Sequence, residues 1–287
     1  MMGNQPKKDL NYLDYSKDAV EGNSVQTTFK FQEVPKSEKA LKLKEEGKLK
    51  EALRIIDDAL NENPNDFKNW NAKALILDSL SEYEKAIECF DNALKLNNSD
   101  FIKKDKANTL YNFAKVTFFP EGDYEKAMNL IDYALDNLPE DEDASEYLFL
   151  KAEIYESLGM PMETRLYYLK AEGEFEKANQ LSDQIEFLKN SDDVLITVSG
   201  INFFKGLDPF EKGAIFNLVK QPDNEHDSDA IAIFSADEQL GFVANSQYTL
   251  IDGVKSASEI KSIGDNQKAE VVFVFFDRYV IMRLVGD

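Results

Sequence analysis

The 287-residue sequence predicts a multidomain α plus β protein: an α-solenoid of helix pairs over residues 33–190, then a small antiparallel β-barrel over 191–287. Three observations predict it. Small residues recur at a 34-residue spacing in the first part. Near residue 190, Ala, Leu, Glu, Lys, Tyr and Asn at helical spacing give way to short runs rich in Val, Ile and Phe. Those runs are punctuated by Gly, Asp and Asn, as strands joined by turns require. The length alone suits about two domains.

Residues 1–32 are polar, with isolated aromatics and no sustained period, and read as a tail. The repeat follows. Ala52, Ala59 and Pro64 are echoed 34 residues later by Ala86, Ala93 and Asn98. Ala127, Ala134 and Pro139 keep the internal spacing at an offset of 41, so about seven residues are inserted, placed here at Val116 to Asp123. A fourth copy runs from Ser145 through Leu148, Ala152 and Tyr155 to Thr164, Tyr168 and Ala171. With an aromatic or Leu slot (Trp70, Leu148), a small slot (Ala40, Ala74, Ala152) and a Tyr-like slot (Leu43, Leu77, Tyr111, Tyr155), this resembles the tetratricopeptide repeat family. Each pair of helices buries its apolar face only by stacking on its neighbours, and small residues let the backbones approach. About four repeats are expected, and Glu174 to Lys189 reads as one more amphipathic helix capping the last. That makes about nine helices in all. Trp70, Cys89, Phe90, Tyr155 and Tyr168 read as packing residues.

The resemblance implies that the first helices of the pairs line a groove that holds a protein or peptide. The groove positions it points to are Lys44, Asn71, Leu75, Asp78, Lys106, Asn112, Phe149 and Glu153. They contain no basic cluster of the kind that clamps a C-terminal carboxylate, and the last repeat is acidic and partly apolar.

Leu188 to Asp193 ends the last helix in a polar turn. Strands are expected at Val194–Ser199, Ala214–Lys220, Ala230–Phe234, Gln239–Val243, Ala269–Phe276 and Arg278–Val285, with a tight hairpin at Asp277-Arg278 and one helix between Ser246 and Ile263. Val198-Ser199-Gly200, the pair Phe203-Phe204, the loop Gln221-Pro222-Asp223-Asn224-Glu225-His226-Asp227 leading into Ala230-Ile231-Ala232-Ile233, and Leu240-Gly241-Phe242-Val243 follow in order. Together they resemble the HIRAN domain. That resemblance implies recognition of single-stranded DNA at a free 3′ end. Phe203 and Phe204 would stack on bases, and Asn224, His226 and Asp227 would reach the terminal sugar, with Asp227 accepting from its hydroxyl. Where DNA-binding members carry basic residues, this chain has Asn202 and Val243-Ala244-Asn245-Ser246. The plain structural reading stays open beside it: Phe203 as a plug of the barrel, Asn224 and Asp227 as residues that fix a turn.

Charge narrows the classes. There are 33 Lys+Arg against 54 Asp+Glu, a net charge of -21. Residues 192–287 hold 8 basic and 16 acidic side chains. A general electrostatic grip on nucleic acid or on an anionic membrane is thereby excluded. One cysteine, Cys89, and one histidine, His226, exclude an internal disulfide and leave a Cys/His zinc site or a triad short of groups. Asp223, Glu225, Asp227 and Asp229 alternate like the start of a calcium loop, but Ser228 and Phe234 occupy its glycine and glutamate places. No phosphate-binding glycine motif is present. With no apolar leader or bilayer-length run, the expectation is a cytoplasmic, non-enzymatic adaptor that needs no metal or cofactor, binding a protein in its groove and a DNA end on its β module. A pure protein scaffold is the alternative, and a hydrolase with paired carboxylates is the third class.

Overall fold

The computed structural model describes residues 34–119, 122–260, 264 and 267–286. The tail expected over 1–32 lies outside the described residues. The chain divides after Gly173 into two compact units.

The first unit contains α1 (Lys36–Glu45), α2 (Leu49–Glu62), α3 (Phe67–Ser79), α4 (Tyr83–Leu96), α5 (Asp100–Phe118), α6 (Tyr124–Asn137), α7 (Ser145–Ser157) and α8 (Pro161–Ala171). Consecutive helices pack as four antiparallel pairs, the repeat count that the 34-residue spacing predicts. Local chemistry starts the helices. The Asp66 carboxylate accepts from the Lys68 N–H at the head of α3, and Asp123 does the same for Lys126 at the head of α6. Pro161 opens α8, where its missing N–H costs nothing. Ala40, Ala52, Ala74, Ala86, Ala93, Ala127 and Ala134 are all fully buried where helices cross. Larger side chains fill the layers between them: Ile56 with Ile76, Phe90 with Ile102, and Leu110 with Phe118, Ile131 and Ile154. The inserted residues begin as helix: α5 runs on to Phe118, whose ring is buried against Ile131.

One polar device recurs at the steps between pairs. Asp57, Asp91 and Asp132 each stand two residues before the second repeat alanine, and each meets a lysine of the next first helix: Lys73, Lys106 and Lys151. Lys106 Nζ also donates to Tyr133 Oη at 2.6 Å, and Lys151 Nζ lies 4.4 Å from the centre of the Tyr167 ring.

The second unit opens with α9 (Phe175–Asn190). The sequence predicts this helix, with Ala178, Leu181, Ile185 and Leu188 on its buried face, and assigns it to the helical array. In the structure it is grouped with the β module. Its Phe187 ring meets Phe273 edge-on at 5.9 Å. Six strands follow: β1 (Leu195–Ser199), β2 (Ile215–Lys220), β3 (Ile231–Ser235), β4 (Glu238–Val243), β5 (Lys268–Phe275) and β6 (Tyr279–Val285). All pair antiparallel in the order β1-β4-β3-β2-β5-β6, and β6 pairs back with β1, so the sheet closes on itself. Closure leaves none of these strands with a bare edge. Ile196, Val198, Leu218, Ile233, Leu240, Val271 and Met282 fill the interior with Phe210 and Phe216. The β5–β6 hairpin turns through positive φ at Phe276 and Asp277, one residue earlier than the pair singled out from the sequence.

The helix expected between Ser246 and Ile263 is a correction. Among the described residues this stretch forms turns and a short 3₁₀ segment, Ala257–Ile260. Part of its backbone is claimed by distant residues: the Lys255 N–H donates to the Leu195 carbonyl of β1 and the Ala257 N–H to the carbonyl of Ala244, just past β4. Those long-range bonds outcompete the i to i−4 ladder of a helix.

Candidate functional site

In the helical unit, three of the groove positions predicted from sequence, Asn71, Asp78 and Asn112, are brought against residues of the neighbouring first helix. The Asn71 amide of α3 donates to Asp105 of α5 at 3.2 Å, and the Asn112 amide of α5 donates to Asp78 of α3 at 3.4 Å. Burial pushes the Asp105 carboxyl above its ordinary range, against the opposing effect of the Asn71 amide. The Asn71 carbonyl oxygen is buried and has no donor among the described residues. Lys44 is half-buried, Leu75 packs against the core of its pair, and Glu153 is exposed. Phe149 is partly exposed, with its ring 6.1 Å from that of Tyr168. Lys106 is a correction. It is almost wholly buried and spends its ammonium on Asp91 and Tyr133, so it offers nothing to a ligand in the groove.

An open cleft of 660 Å³ lies at the ends of α4 and α6, lined by Leu94, Asn98, Lys103, Asp136, Pro139 and Glu140 among others. Asp100 there is paired with Lys103 at 2.8 Å. Among the described residues no group of three or more His, Cys, Asp or Glu side chains could hold a metal.

On the β unit, β1 ends at Ser199 and the chain turns through a short 3₁₀ segment, Ile201–Phe203. Phe203 is thereby left 91% exposed and Phe204 38% exposed. Phe203 does not plug the barrel, because Phe210 and Phe216 fill that space with rings 5.2 Å apart. Phe204 packs edge-on against Phe242 of β4 at 6.2 Å. Phe242 is paired across the sheet with Ser199 on one side and Ala232 on the other, and Ala232 with the partly exposed Val219. Phe204 therefore lies against the outer face of β4, with Phe203 beside it in solvent. Gly241 explains why glycine precedes that aromatic. A Cβ there would sit 2.8 Å from Val198 Cγ1 and 2.9 Å from the Ser199 carbonyl oxygen.

The 221–230 loop joins β2 to β3. Asn224 Oδ1 accepts from the N–H groups of His226 and Asp227, and its Nδ2 donates to Gln221 Oε1. Asp227 Oδ1 accepts from the Asp229 N–H, and Asp227 Oδ2 from Asn245 Nδ2, each at 2.9 Å. Asn224 and Asp227 thus fix the loop, while His226 projects from it, exposed. Lys205, next to the aromatic pair, is tied to Glu238 at 2.6 Å. Phe242 and Asn245 stand in segments whose residues were legible in the sequence, but their roles as backing ring and loop clasp were not.

The tetratricopeptide repeat family matches residues 68–100. The HIRAN domain family matches residues 192–255. The chain carries a tetratricopeptide repeat and, C-terminal to it, a HIRAN domain. It thus joins a protein-interaction repeat to a nucleic-acid-binding type of domain. The 192–255 match ends at Lys255, before β5, although β5 and β6 complete the HIRAN ring. No curated protein matches the chain. Among solved structures, "Crystal structure of MamA" is similar at 16% identity over 50% of this chain and 79% of that chain, with a TM-score of 0.34. "MamA 41-end from Desulfovibrio magneticus RS-1" is similar at 17% identity over 52% of this chain and 94% of that chain, with a TM-score of 0.27. Among the described residues no helix is long and apolar enough to cross a membrane.

Proposed function

We propose that the protein is a non-enzymatic cytoplasmic adaptor, whose helix-pair groove holds a protein segment and whose HIRAN domain takes the free 3′ end of single-stranded DNA during repair or stress processing. The observation that carries this reading is Phe203. A phenylalanine left 91% exposed on a short backbone turn, beside Phe204 and its backing ring Phe242, is a surface for stacking rather than for packing. Stacking accepts any base and contributes about 1–3 kcal/mol per base. The groove's part is supported by Asn71, whose buried carbonyl oxygen has among the described residues no donor of the kind a peptide N–H would supply.

The charges set what kind of DNA binding this is. Lys205 is neutralised by Glu238, and the 221–230 loop is acidic. Few counterions would be released on binding, so affinity should depend only weakly on salt, with a log–log slope of about −1 or shallower. An acidic loop also favours a hydroxyl end over a phosphorylated one. The test is fluorescence anisotropy of the full chain with labelled single strands bearing a free or a phosphorylated 3′ end. Saturable binding at low salt, a preference for the free end and loss of binding in the Phe203→Ala, Phe204→Ala double variant are expected. No binding at low salt would remove the DNA reading and leave the protein scaffold, the alternative that the Lys205–Glu238 pair favours.

A further inference from the structure

We propose that Tyr248 is a second stacking platform for the single strand, held beside the 221–230 loop by the turn that follows β4. This rests on the single-strand reading of the HIRAN domain and extends its site by a residue outside the aromatic pair and the loop.

Among the described residues, only Phe203 is a more exposed large hydrophobic side chain than Tyr248, which is 80% exposed. It makes no ring contact with another described side chain. Its backbone, in contrast, is fixed. The Ser246 carbonyl accepts from the N–H groups of Thr249 and Leu250 and from Thr249 Oγ1, and the Tyr248 N–H donates to Ser246 Oγ. Three residues before Tyr248, Asn245 holds the turn from both sides. Its Nδ2 donates to Asp227 Oδ2 at 2.9 Å, and its Oδ1 accepts the Ser258 N–H at 3.0 Å. The same hydrogen bond that orders the ligand loop therefore orders the segment presenting Tyr248. A flat ring on a fixed backbone gives up little conformational entropy when it stacks. With the residue 80% exposed, removal of its ring should leave the fold intact.

Phe204 meets Phe242 edge-on next to the C-terminal end of β4, and the turn carrying Tyr248 leaves from that same end, after Val243. Several aromatic side chains offered along one surface are the arrangement by which single-strand binders stack successive bases. The occupant that fits both is an unpaired strand longer than one nucleotide.

The test uses the full chain and fluorescein-labelled oligothymidylate of about ten residues with a free 3′ end, a length within the site size of one small barrel. Tyr248→Ala should weaken binding by about five- to tenfold, and Tyr248→Phe should stay within about twofold of wild type. Tyr248→Leu, similar in size but without a π face, should behave like the alanine variant. Unchanged thermal unfolding of all three would confirm that the ring has no packing role. Wild-type affinity in Tyr248→Ala, alongside weakened binding in the Phe203→Ala, Phe204→Ala variant, would overturn this inference and leave the underlying reading in place. No binding of any strand by the wild-type chain would overturn both.

Discussion

Asn245 Nδ2 donates to Asp227 Oδ2 at 2.9 Å, a bond across 18 residues that fastens the β2–β3 loop to the end of β4. The acceptor is a carboxylate and the site is partly buried, so the bond should contribute about 1–2 kcal/mol. Asn245→Ala removes it and also frees the Ser258 N–H. Native-state hydrogen exchange should then accelerate at the Asp229 and Ser258 amides and stay unchanged at amides of β5 and β6. Uniform acceleration across the barrel would mean global destabilisation and no local clasp.

The buried lysines of the helical array offer an asymmetric test. The Lys106 side chain is 3% exposed and that of its partner Asp91 is 43% exposed. Deleting the aspartate strands a desolvated ammonium whose remaining partner among the described residues is Tyr133. Deleting the lysine leaves a carboxylate that water can reach. Asp91→Ala should therefore cost about 2–3 kcal/mol, and Lys106→Met about 1 kcal/mol or less, since Met refills the space of the aliphatic stem. Trp70 is the only tryptophan and lies in α3, anchored by its indole N–H to the Pro64 carbonyl at 2.7 Å, so its fluorescence reports urea unfolding of this unit. Equal losses in the two variants would refute the assignment.

How far the sequence reaches depends on which physics is local. The alanines and the 34-residue spacing predict the helix pairs, because crossing geometry repeats with the chain. The six strands are predicted to within one residue at most ends, since alternation and turn residues are local too. What fails is set by distant partners. Lys106 resembles a groove residue on its own helix, yet Asp91 and Tyr133 draw it inward. Residues 246–260 read as helix, but Leu195 of β1 takes the Lys255 N–H and Ala244 that of Ala257. Phe203 and Phe204 are adjacent and chemically identical, but Phe242 covers one and leaves the other in water. Asn224 and Asp227 were legible as special residues; that each holds the loop through several bonds is a property of the fold.

Alkaline pH should loosen the helical unit. Burial pushes the Cys89 thiol up from 9.0 to about 11, and burial likewise pushes Tyr147, whose hydroxyl donates to Asn108 at 2.7 Å, to about 12. Between pH 9 and 11 the unfolded chain releases the thiol proton while the folded one keeps it, so stability falls as pH rises through that window. The loss from Cys89 should be about 1 kcal/mol at pH 10. Trp70-detected urea midpoints between pH 8 and pH 10 should decline in wild type and decline less in Cys89→Ala, each variant being compared with its own value at pH 8. The native thiol should also resist disulfide reagents at pH 8, where it is neutral and covered. Identical declines in the two proteins would assign the effect to the tyrosines alone.

Gly253 tests whether α9 is integral to the β module. Its φ is +89°, and a Cβ there would lie 2.3 Å from the Leu188 carbonyl oxygen near the end of α9. Gly213 has almost the same φ, +87°, with nothing within 4 Å of its Cβ position. Gly213→Ala therefore carries the backbone strain alone, about 1 kcal/mol. Gly253→Ala carries the same strain plus a clash with main chain that cannot rotate away, and should cost about 2–4 kcal/mol. The extra cost should appear as faster hydrogen exchange at the last amides of α9, including the Ser191 N–H that donates to the Phe187 carbonyl. If the two alanine variants lose equal stability and α9 exchanges as in wild type, the Leu188 carbonyl does not close over Gly253 in solution and α9 is an appendage of the barrel.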